Sequence, residues 1–319
     1  MNDFFDNPQP SETATNGFLP KPVLYNEQQN QISKSITSIL LYGLLFYFLF
    51  SKDLVYIAAL LLIIIIHEMG HFIMMKIFNY QNLKIFFIPL LGAYTSGKKQ
   101  VVTQLQLLLI LIAGPLPGLI IGGILYFLNL KQPNDTLQMV STTFIAINFF
   151  NLLPFYPLDG GRIIDTLFSK DNFIIRMVFT IISIICLVGI GILTQSFFLL
   201  IIPVLIGIEL YNESKNEKVR QYLKTENIDF KVEYNDLNDK DYWLIRDCIL
   251  FQFRKKYAIA EPGIYEYSVI EPVLTKHVIS VLQTKVIYNI NGIFKILSLL
   301  IYIALIVIPI LIAIKQYNA

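Results

Sequence analysis

The sequence predicts an all-α polytopic membrane protein with a short membrane-associated hairpin and a small α-rich cytosolic region, on three observations. Of 319 residues, 55% are hydrophobic and only 15% charged, with a mean hydropathy of +0.59, whereas globular chains average about 45–50% apolar and about 25% charged residues. The excess lies in long, nearly charge-free runs, and a helix needs about 20 such residues to cross ~30 Å of hydrocarbon. One substantial polar stretch, Asn212–Ile290, interrupts them. A simple water-soluble enzyme is excluded. A formal charge of +2 leaves no electrostatic footprint for nucleic acid. Two cysteines, Cys186 and Cys248, make neither a disulfide framework nor a zinc-ribbon spacing.

Residues 1–34 form a polar tail, with Asn7-Pro8-Gln9-Pro10 ahead of a Ser/Thr/Asn-rich stretch. The tail lacks the basic start and early apolar core of a signal peptide. The membrane domain is expected over 35–211, with runs at about Ile36–Phe50, Leu54–Phe78, Leu105–Leu130, Leu137–Leu153, Phe173–Leu193 and Phe197–Tyr211. A C-terminal transmembrane helix, in 291–319, completes seven expected spans at Ile293–Ile314. Basic residues sit on alternate flanks: Lys34, Lys76, Lys84, Lys98, Lys99, Arg162, Lys170, Arg176, Lys215, Lys218, Arg220 and Lys295 against Lys52, Lys131 and Lys315. By the positive-inside bias the N-terminus is cytoplasmic and the C-terminus, after seven spans, lies outside.

Two pieces do not span. Lys84–Tyr94 (KIFFIPLLGAY) is apolar but short, and Pro89 with Gly92 breaks any helix, so it reads as an extended hairpin or a re-entrant segment. The small cytosolic region, 212–290, shows a helical pattern from about Asp239 to Tyr257, a turn at Glu261-Pro262-Gly263, and a second helix near Pro272–Leu282. It is the place for a gate or a regulatory partner.

The chemistry centres on His67-Glu68-Met69-Gly70-His71, inside the second run. Helix positions i and i+4 share a face, so both imidazoles reach one ion, and Glu68 stands beside it, placed to take a proton from a bound water. An ionisable side chain within a span costs about 2.5–3.5 kcal/mol on insertion scales. Three titratable groups after Leu60-Leu61-Leu62-Ile63-Ile64-Ile65-Ile66 therefore call for a function; the alternative is a hydrogen-bonded cluster that stabilises helix packing. A catalytic zinc typically has three protein ligands and an open position. The third histidine, His277, lies in the polar region and reads as solvated or packed, and no thiol is placed to serve. A carboxylate is expected, and Asp159 is the best placed, following the fourth run on the same side as the end of the second. Pro154 and Pro157 end the helix there, and Gly160-Gly161 permits tight backbone around the carboxylate. Read alone, Asp159 would be an ordinary capping residue at a membrane exit.

These motifs together resemble the site-2 protease family of intramembrane zinc metalloproteases. His67-Glu68-Met69-Gly70-His71 is similar to the family's HExxH, Asn151-Leu152-Leu153-Pro154 followed by Leu158-Asp159-Gly160-Gly161 to its NxxP…LDG element, and Gly114-Pro115-Leu116-Pro117-Gly118 to its Gly-Pro turn. Pro117 stands where an Ala-like residue is more usual. The resemblance covers about residues 54–165 and implies a three-helix catalytic core with extra spans around it. It implies that His67, His71 and Asp159 hold Zn2+, that Glu68 activates water, and that Asn151 binds the substrate strand or the developing oxyanion. It further implies that Leu83–Tyr94 is a substrate-guiding hairpin, and that substrates are single-span membrane proteins or signal-peptide remnants. No PDZ-like insertion or CBS-like pair follows the core. Cytoplasmic-face chemistry suggests a bacterial inner membrane. Two other classes compete: a metal-ion transporter using His67, His71 and Asp159 as a relay, and an inactive membrane-protein-binding scaffold.

Overall fold

Apolar runs, N-cap side chains and helix-breaking Gly-Pro pairs account for most of the architecture. A computed structural model describes residues 18–24, 31–49, 52–88, 92–168, 172–195, 197–253, 257 and 260–317. The elements are α1 (Gln31–Leu49), α2 (Leu54–Ile77), β1 (Gln81–Ile88), β2 (Gly92–Lys98), β3 (Val101–Thr103), α3 (Gln104–Ala113), α4 (Pro115–Lys131), α5 (Asp135–Asn151) and α6 (Asp159–Phe168). They continue as α7 (Phe173–Leu193), α8 (Phe197–Thr225), α9 (Asp239–Gln252), α10 (Glu271–Val281), β4 (Lys285–Ile287) and α11 (Gly292–Tyr317). The chain divides into two compact units: residues 29–207 with 286–319, and residues 1–28 with 208–285. By sequence the boundaries fall at 34/35, 211/212 and 290/291 with residues 1–34 as a separate tail, whereas residues 1–28 group with 208–285.

Among the described residues, four helices are long and apolar enough to cross a membrane: Leu54–Ile77, Gln104–Lys131, Phe173–Leu193 and Gly292–Pro309, with Ile36–Phe48 apolar but shorter. The remaining two apolar runs fall on α5, which has 17 residues and carries Ser141, Thr142, Thr143 and Asn148, and on the first half of α8. The protein is thus a multi-pass integral membrane protein.

In the first unit α2 starts at Asp53, whose carboxylate accepts from the backbone N–H of Val55 and Tyr56 at 2.8 and 3.2 Å. It stops where Asn79, at φ 59°, turns left-handed, and the N–H groups of Asn79 and Tyr80 close on the carbonyls of Lys76 and Met75. The apolar piece that follows is an antiparallel hairpin. β1 pairs with β2 through Ile85↔Thr95, Phe86↔Tyr94, Phe87↔Ala93 and Ile88↔Gly92. Strand alternation puts Phe87 and Thr95 on the buried face, packed with α1 and α2. Pro89, read as the breaker, lies outside the described residues.

The expected single run Leu105–Leu130 is two helices. Thr103 caps α3 in a reciprocal box with Gln106, and the helix ends at Ala113 because Pro115 has no N–H to continue it. Pro115 then occupies the first turn of α4, and Pro117 fits the same turn because N–H groups there have no intrahelical partner. After α5 the chain folds tightly. Tyr156 N–H donates to Ser183 Oγ of α7 at 3.0 Å, and Leu158 N–H to Phe155 O at 2.9 Å. A Cβ on Gly160 would lie 2.1 Å from Leu152 O, so only glycine lets α6 start against the end of α5. Tyr302 of α11 donates to that same Leu152 carbonyl at 2.7 Å.

The second unit packs Val219 and Leu223 of α8, Trp243, Ile245 and Ile249 of α9, and Leu274, Val278 and Val281 of α10 into one core. A buried ion pair crosses it: Arg246 Nε donates to Glu271 Oε1 at 3.0 Å and Arg246 Nη2 to Glu271 Oε2 at 3.1 Å. Tyr242 Oη also donates to Glu271, at 2.5 Å, and burial followed by that carboxylate holds the phenol protonated far above its ordinary range. With the pair intact, both charges are compensated. Glu271→Ala would strand the Arg246 guanidinium, only 1% exposed, and is expected to destabilise this unit by about 3–5 kcal/mol. Denaturant unfolding followed by emission of Trp243, the sole tryptophan, checks this; an unchanged midpoint would refute it.

Candidate metal centre

Helix α2 carries His67 and His71 one turn apart on the same face, with ring centroids 4.9 Å apart and planes at 76°. Asp159, the first residue of α6, meets them. Asp159 Oδ2 lies 3.1 Å from His67 Nε2 and 3.2 Å from His71 Nε2, and the two Nε2 atoms are 3.2 Å apart. All three residues are buried. With bonds of about 2.0–2.2 Å, the ligand atoms of a tetrahedral zinc are about 3.3 Å apart. The observed triangle matches one face of that tetrahedron. Among the described residues this is the one group of three or more such side chains able to hold a metal ion.

The protons on the two rings decide what the triangle wants. His67 Nδ1 lies 2.9 Å from Asn148 Oδ1, and the Asn148 amide is oriented by its own Nδ2, which donates to Phe144 O at 2.8 Å. His71 Nδ1 donates to the backbone carbonyl of Ile110 at 2.8 Å. Both Nδ1 atoms face acceptors and so carry hydrogens, which turns the Nε2 lone pairs inward. Two lone pairs and a carboxylate then converge on one point inside an apolar bundle. Such a cluster needs a positive charge at its centre, and a divalent cation supplies it without adding protons. The residues fit zinc.

Helix breakage makes this arrangement possible. Ile110 lies in the last turn of α3, where carbonyls have no intrahelical partner, so its oxygen is free for His71. Gly114, at the break, faces the His71 ring: a Cβ there would lie 2.2 Å from Nε2. One turn on, a Cβ on Gly118 would lie 2.0 Å from Asn148 Nδ2. The Gly-Pro-Leu-Pro-Gly turn read in the sequence is therefore the wall that lets the metal face and its supporting amide approach.

Glu68 is buried beside this group, on the hairpin side. Thr95 Oγ1 of β2 donates to Glu68 Oε2 at 2.5 Å and lies 3.2 Å from Glu68 O. The hydroxyl thus holds the carboxylate from across the hairpin. Asn151 is placed differently: its Nδ2 donates to Ile147 O one turn back, at 3.0 Å, and Asn148 is the asparagine that reaches a histidine. Asn148, Thr95 and the Ile110 carbonyl were not singled out in the sequence; the signal for Asn148 was an amide three residues before Asn151 in a bilayer-length run. His277 is on α10, its Nδ1 3.1 Å from Tyr257 Oη, and is not one of the three residues of the group. Cys186 and Cys248 are free thiols, and burial with Asp247 and Glu226 nearby pushes Cys248 up to about 11.

Residues 55–138 match the description of Peptidase family M50. Stage IV sporulation protein FB of Bacillus subtilis (strain 168) is 30% identical over 115 residues, 35% of this chain and 40% of that protein. A zinc metalloprotease of Methanocaldococcus jannaschii is 32% identical over 113 residues, 34% of this chain and 32% of that protein. The chain therefore spans less than half the length of either relative. A solved site-2 protease from Methanocaldococcus jannaschii superposes with a TM-score of 0.44 at 23% identity, covering 56% of this chain and 88% of that one.

Two supporting contacts make separable predictions. Asn148→Leu removes the acceptor that fixes His67, and zinc affinity is expected to fall about 10- to 100-fold; a chelator titration that gives the wild-type affinity would dismiss this role. Thr95→Val should leave zinc affinity unchanged while lowering turnover about 10- to 100-fold, with a shifted pH–rate profile, and Thr95→Ser should restore both. Loss of zinc in Thr95→Val would mean that the hairpin supports the metal face instead.

Proposed function

Residues 55–138 match Peptidase family M50, and on that premise we propose that the chain is an intramembrane zinc metalloprotease of the site-2 protease type that hydrolyses peptide bonds within or beside transmembrane segments. The observation that carries this reading is the convergence of His67 Nε2, His71 Nε2 and Asp159 Oδ2 within 3.2 Å, with both Nδ1 atoms turned to acceptors. His67, His71 and Asp159 are the proposed ligands. When bound, zinc lowers the pKa of its water toward about 7 and polarises the scissile carbonyl.

The rest of the chemistry belongs to the chain. Glu68 accepts a proton from the attacking water and returns it to the leaving amine, one carboxylate serving as base and then acid. Thr95 holds that carboxylate against the hairpin. Asn151 is proposed to donate to the developing oxyanion or to the substrate strand, which requires its amide to leave Ile147 O. A helical carbonyl is already hydrogen-bonded, so the substrate must unwind to be cut, and the hairpin offers extended backbone beside Glu68.

Orientation is part of the same reading. Residues 18–24 dock against the 208–285 region within one unit, and we propose that both lie on the cytoplasmic side, which requires an even number of crossings between them. The three full-length spans before α8 make an odd number, which supports further crossings by α1, α5 or the start of α8. With the basic flanks, this favours a cytoplasmic N-terminus and an active site opening to the cytoplasmic side, as in a bacterial inner membrane. Substrates are proposed to be single-span membrane proteins or signal-peptide remnants, in regulated intramembrane proteolysis.

Zinc analysis of detergent-solubilised protein tests the ligand set: about one ion per chain is expected in the wild type, none in Asp159→Ala, and the wild-type content in Glu68→Gln. Single-span test substrates should be cut by the wild type and not by Glu68→Gln. Zinc retained in Asp159→Ala would reject this ligand set. Metal flux across vesicles without any cleavage would favour a transporter, and neither activity with zinc bound would favour a scaffold.

A further inference from the structure

Residues Phe18–Leu24 (FLPKPVL) form no helix or strand, yet the second unit reads their backbone nearly residue by residue. Trp243 Nε1 donates to Leu19 O at 2.6 Å, Tyr267 Oη to Pro20 O, and Tyr234 Oη to Pro22 O at 2.7 Å. The N–H of Lys21 is the one backbone donor between the two prolines, and it donates to Asp239 Oδ1 at 2.8 Å. Its ammonium enters a cage of carbonyls, donating to Tyr234 O at 2.6 Å, Asn235 O at 2.9 Å and Leu237 O. The same ammonium lies 5.2 Å from the centroid of the Tyr234 ring. Phe18 packs on Tyr265, with ring centroids 4.6 Å apart.

This is the physics of polyproline-type recognition. Prolines preset φ and remove competing N–H groups, so the segment is extended before it binds and little order is lost on docking. Aromatic side chains with polar tips then donate to the exposed carbonyls, the mode by which aromatic-lined grooves take proline-rich peptides. The lysine adds selectivity. Burial holds the ammonium below its ordinary range, and Asp239 and Asp236 offset this only in part. The three carbonyls around it would be left without their donor by a neutral aliphatic side chain and would repel an acidic one.

We infer that the second unit is a peptide-binding module for an extended segment with a lysine between two prolines, and that residues 18–24 are its resident ligand, displaced when another polypeptide presents the same pattern. The donor side chains sit on α9 and its flanking turns, within a core built from α8, α9 and α10. The segment packs partly buried Phe18, Leu19 and Leu24 against that core, and its Pro22 is buried. The fully buried hydrophobic residues of that core all come from 219–281, and the segment is held by its backbone carbonyls, the Lys21 side chain and its apolar contacts. This inference stands apart from the proteolytic reading, since none of its groups belongs to the metal centre.

The test uses a fluorescein-labelled peptide of residues 17–25 as probe, with full-length protein, full-length Lys21→Glu, and a chain lacking residues 1–24. Fluorescence anisotropy should show saturable binding to the truncated chain and to Lys21→Glu. Binding to the wild type should be on the order of 100-fold weaker, because a tethered occupant acts at about millimolar effective concentration. Peptides carrying Glu at the lysine, or Ala at both prolines, should not bind. Emission of Trp243, the sole tryptophan, should shift in both variants and return when unlabelled peptide is added. A truncated chain that folds, by circular dichroism, but fails to bind would overturn the inference. So would one that does not fold, since the segment would then be a structural part of the unit and not a displaceable ligand.

Discussion

Three acceptor atoms held within 3.2 Å of one another in an apolar helix bundle set the demand that the rest of the membrane unit meets. Lone pairs so close repel unless a cation or protons join them, and low-dielectric surroundings sharpen the repulsion. The tautomer is therefore the controlling variable. Asn148 and the Ile110 carbonyl fix it by taking the Nδ1 protons, and each of these acceptors depends on a different feature of the fold. One needs an asparagine on α5 facing glycine on α4; the other needs α3 to stop where it does.

Breaking a helix in the middle of a bilayer exposes carbonyls that water cannot satisfy. Here the break between α3 and α4 spends one such carbonyl on His71, so a local defect becomes a ligand support. The tight passage from α5 to α6 follows the same logic. Its backbone groups are taken up by Ser183 and by internal turns, and its glycine allows the approach that brings the first residue of α6 to the metal face. Glu68 is held by a different element, the hairpin, so it is positioned independently of the His67, His71 and Asp159 group.

The second unit rests on another balance. A buried guanidinium–carboxylate pair, joined by Tyr242, occupies its centre, while Tyr234, Trp243 and Tyr267 turn their polar tips to the carbonyls of a segment more than 200 residues away in sequence. Rings that bury an apolar body and leave one donor at the edge are suited to reading backbone.

Much of this was legible beforehand. Helical periodicity is local, so the spacing of His67 and His71 placed both rings on one face, and the apolar setting made the pair a candidate site. Asp159 followed from the ligand count and a shared membrane side. The hairpin was one of two readings of KIFFIPLLGAY, and strand pairing in the folded chain decided it. The third apolar run is one candidate span, and the Gly-Pro turn read within it divides it into two helices without changing its hydropathy. Asn148 over Asn151, Thr95 on Glu68 and Ile110 on His71 were invisible for one reason: these contacts join residues 81, 27 and 39 positions apart. Residue type and spacing determined which groups could meet around one ion. Packing alone decided which neighbours hold their protons, because a hydrogen bond between distant segments exists only once the helices between them have found their places.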